Sequence, residues 1–156
     1  MEDTVRAAEC FAANVYEANY KKKNRKASIE MIKWCPPNPR WIKVNLDGAA
    51  NRNRDLSMAG GVFRDSFGTQ IEGFQRVVGR GYAINSELWA ILHGLEITLI
   101  RGHNKFAKRE GNMVADWLAK TCPSTDVNLR ILDVPTFYVR KLLLEDKFGV
   151  PYVKTN

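Results

Sequence analysis

The sequence predicts a mixed α/β fold, a three-stranded antiparallel meander plus helices, and three observations carry that prediction. Residues 41–47 alternate between apolar and polar with the period of a strand. Two more strand-like runs follow at once, punctuated by turn residues. Past residue 86 the apolar period lengthens to that of helices.

Taken in chain order, residues 1–33 read as a helical arm, with Val5, Ala8, Phe11, Ala12 and Val15 on one stripe. Its basic cluster, Lys21, Lys22, Lys23, Arg25 and Lys26, suits phosphate binding, a nuclear address or a solvated linker. Pro36, Pro37 and Pro39 break any helix and set a domain boundary. Ile42, Val44 and Leu46 then face one way, and Lys43, Asn45 and Asp47 the other; Gly48-Ala49-Ala50 is expected to end that strand. A second strand is expected from about Ser57 to Arg64. Asp65 and Gly68 bracket a tight turn, and a third strand runs from Thr69 to about Val78.

Ser86 is placed to cap a helix from Glu87 to about Arg101, with Leu88, Ile91, Leu92, Leu95 and Leu99 as its buried stripe. Residues 105–108 form a short strand or a loop. Asn112 caps a helix over 113–120, in which Val114, Trp117 and Leu118 pack. A last helix spans 137–148 and stops at Gly149. The organisation is thus an arm and linker (1–33), a central domain (34–120) and a tail with a short helix (121–156).

Composition narrows the function classes. A chain of 156 residues can hide roughly 70% of its unfolded surface. No apolar run approaches the roughly 18 residues of a membrane span. The acidic start, Met1-Glu2-Asp3, lacks the order of a secretory signal, so the expected address is inside the cell, in cytoplasm or nucleus. Cys10, Cys35 and Cys122 are too widely spaced for a zinc site and odd in number for a disulfide set. The net charge of +7 favours polyanionic partners, nucleic acid first.

Three carboxylates stand where elements begin or end: Asp47, Glu87 and Asp116. Such positions can aim several acids at one point, and clustered acids repel unless a cation joins them. Carboxylate oxygens suit Mg²⁺ or Mn²⁺. A pair of such ions about 4 Å apart can activate water and stabilise a leaving oxygen at a phosphodiester. Taken singly, each acid is equally well explained by capping or by solvation.

The flanking residues add a family resemblance. Trp34-Cys35-Pro36-Pro37 with Trp41-Ile42-Lys43-Val44-Asn45-Leu46-Asp47-Gly48-Ala49 resembles the opening of the plant-type ribonuclease H-like domain found in relatives of retroelement reverse transcriptases. Ala59 to Gly68 resembles that family's second strand and turn, Ser86 to Leu95 its first acid-bearing helix, and Arg109 to Ala119 its last acidic segment. The resemblance implies a mixed five-stranded sheet flanked by helices. It also implies that Asp47, Glu87 and Asp116 match three of four metal-binding acids. The implied activity is Mg²⁺-dependent hydrolysis of the RNA strand of an RNA–DNA hybrid, with contacts to the 2′-hydroxyl selecting RNA.

The chain departs from the family at Gly102–Lys105. There the helix leads almost directly into Arg109-Glu110-Gly111-Asn112, and the fourth-strand region with its acid is missing. Glu96 is no substitute, standing roughly 13 Å along the helix from Glu87. A sheet so shortened must find a new pairing or expose an edge. His93 and His103 read as packed or surface side chains, and Trp89 and Trp117 as core aromatics. Two functions follow: a ribonuclease H-type protein with weakened cleavage, or a non-catalytic nucleic-acid binder that uses the basic arm.

Overall fold

The structure is a computed structural model that describes residues 31–80, 83–103, 106–108, 113–123, 125 and 128–153. The apolar stripe and basic cluster of the arm, Cys10, and the 109–112 segment with Asn112 lie outside the described residues. The chain divides into two units, residues 32–152 and residues 1–31 with 153–156.

The strands are β1 (Met31–Ile32), β2 (Ile42–Asn51), β3 (Leu56–Arg64), β4 (Gln70–Gly79), β5 (Phe106–Lys108), β6 (Arg130–Leu132) and β7 (Tyr152–Val153). The described helices are α1 (Ala83–Ile100), α2 (Met113–Lys120) and α3 (Phe137–Lys147). The main sheet runs β5-β2-β3-β4-β6, and β1 pairs with β7. The expected meander is its centre: β2 with β3, and β3 with β4, both antiparallel. The edge expected to need a new partner or to lie exposed finds a short one: β5 pairs parallel to β2 at Ile42–Val44. On the far side, β6 joins β4 at Gly73–Gln75.

Strand β2 does not stop at Gly48. It continues to Asn51, and its whole length is paired, Lys43 against Arg64 through to Asn51 against Leu56. The continuous ladder with β3 satisfies the backbone groups on that edge and so overrides the weak strand preference of Gly and Ala. The β3–β4 turn forms as its residues predict. The Asp65 carboxylate accepts from the Phe67 and Thr69 amides at 2.9 Å, and Gly68 takes φ +80°, a region open to glycine.

Both faces of the sheet are covered. Helix α1 lies on the face that carries Leu46, Phe63 and Phe74, while α2 and α3 cover the face that carries Val62, Met58 and Val77. Val62, Val114, Leu118, Val139 and Leu142 form one apolar cluster, and Ala49, Met58, Val77, Ala119 and Cys122 a second. Trp117 packs partly buried against the first cluster, as expected of a core aromatic. Thr136 caps α3 by accepting from the Val139 amide, and Gly149, at φ +70°, follows its end.

Helix α1 differs from the sequence expectation in three respects. It starts at Ala83, so Ser86 and Glu87 lie inside it and Ser86 is not its cap. Its buried residues include Ser86, Ala90, His93, Gly94 and Ile97, whereas Leu88, Leu92 and Leu99 are exposed. Trp89 is 39% exposed, not a core aromatic. The reason is steric. A Cβ built on Gly94 would stand 2.7 Å from the Leu46 side chain, so the sheet supplies the bulk and the helix must present its small residues.

Arg64, fully buried, donates to the Asp146 carboxylate at 2.5 Å and to the Asn45 side-chain oxygen at 2.6 Å. Its guanidinium carbon also lies 4.3 Å from the centroid of the Trp34 ring. Burial pushes the Arg64 pKa down and the Asp146 pKa up, and each charge opposes the other's shift. This pair ties β3 to α3. Asp146→Ala is expected to cost about 3–5 kcal/mol, because it leaves a buried guanidinium uncompensated. Urea denaturation measures the loss, and replacing both partners with apolar residues is expected to recover much of it.

A candidate acidic site at the end of the sheet

Two glycines bring two helices down onto Asp47. A Cβ on Gly48 would meet the Glu87 amide nitrogen at 2.3 Å, and one on Gly60 would meet the Ala119 amide nitrogen at 2.5 Å. Only glycine permits backbones to approach so closely. Gly60 is also the cross-strand neighbour of Asp47. The acid is therefore held between the Glu87 turn of α1 on one side of the sheet and α2 on the other.

Asp47 is half-buried, and its Oδ1 accepts from the Gly48 amide at 2.9 Å. Its pKa is pushed up from 3.8 to about 7. Loss of solvation is the largest cause, followed by repulsion from Asp116; Glu87 adds a smaller repulsion, while the Gly48 amide and Lys120 act in the opposite direction. Asp116 stands in the first turn of α2, where the sequence places it, and Lys120 reaches back one turn to hold its carboxylate at 2.8 Å.

Of the three acids that the sequence singles out, Asp116 and Glu87 thus both act electrostatically on the third, Asp47. Their hard oxygen donors have the chemistry of a site for Mg²⁺ or Mn²⁺. Their spacing does not: among the described residues, no three His, Cys, Asp or Glu side chains stand close enough to hold one ion. Lys120 occupies the Asp116 carboxylate instead. Sequence reasoning passed over Lys120, although its position four residues after Asp116 on a helix was a usable signal.

Glu96, judged unable to complete the set, is engaged elsewhere. It pairs with His93 Nδ1 at 2.9 Å, while His93 Nε2 lies 2.9 Å from an Arg76 guanidinium nitrogen. Arg76 can only donate, so Nε2 accepts and the proton of a neutral His93 sits on Nδ1. His93 is a buried packing residue, stacked on Trp89. His103 lies against Phe63 with Nε2 3.9 Å from Glu72. The acids beside the histidines are thus Glu96 and Glu72. Cys35 and Cys122 are free thiols.

Beside the acids, Gly48 to Asn53, Met58 and Lys120 line a groove of about 530 Å³. Arg52 and Lys120 supply exposed positive charge there. Lys21, Lys22, Lys23, Arg25 and Lys26 lie outside the described residues. No described helix is long and apolar enough to cross a membrane.

The raised pKa of Asp47 has a stability consequence. Between pH 3.8 and about 7 the folded chain keeps a proton that the unfolded chain has released. Stability therefore falls as pH rises through that window, by up to roughly 4 kcal/mol. Asp47→Asn is expected to flatten the fall and to be more stable than the parent at alkaline pH. Thermal melts across the window check both statements.

Residues 45–107 match the reverse transcriptase-like family model. Over 65 residues the chain is 46% identical to an Arabidopsis thaliana protein named as a candidate ribonuclease H protein, a match covering 42% of this chain and 10% of that protein. The chain thus spans about a tenth of the length of the curated relative it matches. Among solved structures it is similar to ribonuclease H1 of the halophilic archaeon Halobacterium salinarum, with a TM-score of 0.42 and 17% identity, over 69% of this chain and 75% of that one.

Proposed function

We propose that the chain is a ribonuclease H-type nucleic-acid-binding module whose target is an RNA–DNA hybrid, a reading supported by the match of residues 45–107 to the reverse transcriptase-like family model and by the likeness to the Arabidopsis protein. Its main support is the Asp47 carboxyl, raised to about 7 by burial and by repulsion from Asp116 and Glu87. A cluster of acids held against its own repulsion costs stability, and such a cost is commonly met at functional sites. The +7 charge and the groove with Arg52 and Lys120 support binding to a phosphate backbone.

Asp47, Glu87 and Asp116 are the residues that would take Mg²⁺ or Mn²⁺, which would supply charge neutralisation and an activated water. The present spacing, the Lys120 tether and the missing fourth acid all weaken that uptake. Cleavage of the RNA strand is therefore expected to be slower than at a complete four-acid site. The same observations favour a second reading, a binder without turnover that uses Lys21, Lys22, Lys23, Arg25 and Lys26. Its address, in cytoplasm or nucleus, is where hybrids and single strands occur.

Incubation of purified protein with a labelled hybrid separates the two readings. Slow cleavage that needs Mg²⁺ or Mn²⁺ and vanishes in Asp47→Asn supports the first. Salt-sensitive retention of the hybrid without cleavage supports the second. Failure to retain any nucleic acid contradicts both.

A further inference from the structure

Helix α1 is apolar on two opposite faces. One face, built on Ser86, Ala90, His93, Gly94 and Ile97, is buried on the sheet. The other carries Leu88, Leu92, Leu95 and Leu99. Leu88 is 52% exposed, Leu92 43% and Leu99 58%, and Leu95 is half-buried. A helix apolar all round is normally covered on all sides. The leucines follow spacings of four, three and four residues, the seam of a coiled coil and not the wider stripe of a globular helix.

We propose that this seam is a self-association surface and that its occupant is α1 of a second copy of this chain. The spacing reads the same in both directions. Two copies related by a two-fold axis between Leu92 and Leu95 would set Leu88 against Leu99 of the other copy, and Leu92 against its Leu95. Such a self-complementary patch is what an isologous dimer requires. The antiparallel arrangement also sets the positive end of each helix dipole beside the negative end of the other.

The seam leucines with the flanking Trp89 and Ile100 offer on the order of 500 Å² per copy, against about 800 Å² per partner in a standard stable interface. An area below the standard size marks a weak, reversible dimer. The +7 charge on each copy opposes association, so added salt strengthens it.

Sedimentation velocity of the full chain over a concentration series tests this. The expected result is a reversible shift from monomer to dimer that moves to lower concentration as salt is raised. Leu92→Glu combined with Leu99→Glu abolishes the shift. Both positions are solvent-exposed in the single chain, so an unchanged melting transition verifies that the variant is folded. Phe137→Glu, which alters an exposed aromatic on α3, leaves the shift intact. A chain that stays monomeric into the hundreds of micromolar overturns the proposal, and that outcome includes cover by another segment of the same chain. A dimer that survives the double replacement, or one lost in Phe137→Glu, overturns it equally.

Discussion

The close approach of helices to the sheet at Gly48 and Gly60 is the constraint on which the site depends. A side chain at either position would collide with helix backbone, so both helices would have to lift away. With glycine there, the Glu87 turn of α1 and the C-terminal half of α2 close on the two sides of β2, and Asp47 is left between them. Its burial, its repulsion from Asp116 and Glu87 and its raised pKa follow from that geometry. The same approach determines which face of α1 packs. Leu46 already fills the space at Gly94, so the helix buries small residues and turns its leucines outward.

What the sequence made legible was whatever local chemistry decides. The alternation in β2, the Asp65–Gly68 turn, α2 with Asp116 in its first turn, and α3 stopping before Gly149 all depend on residues within a few positions of one another. The meander followed from those runs; the placing of Asp47 and Glu87 at element ends did not, because β2 runs on to Asn51 and α1 begins at Ala83. Less legible was whatever packing decides. The leucine stripe of α1 looked buried because its period is helical, yet periodicity does not say which of two apolar faces meets the sheet. Gly48 looked like a strand end, yet a complete ladder with β3 carries the strand to Asn51. The β5 pairing depends on which edge of β2 is left free, a property of the whole sheet and not of residues 106–108.

Polar burial shows a second pattern. Lys43, Asn45 and Arg64 alternate with apolar neighbours as though they faced water, yet all three are buried. Lys43 donates to the Cys35 carbonyl, and Arg64 meets Asp146, Asn45 and Trp34. The tail of the chain therefore closes the central domain: without Asp146 on α3, Arg64 would be an unpaired charge. A boundary at residue 120 separates motifs in the sequence, whereas the packing of α3 against α2 joins the segments it separates.

Packing that strips solvent from an acid and sets it against two others is the central claim, and the protonation of Asp47 is its direct readout. Carbon-detected NMR titration of the Asp47 side-chain carboxyl is predicted to give a midpoint near 7, and a lower one in Asp116→Asn. A midpoint close to the ordinary 3.8, unmoved by that substitution, would contradict the account.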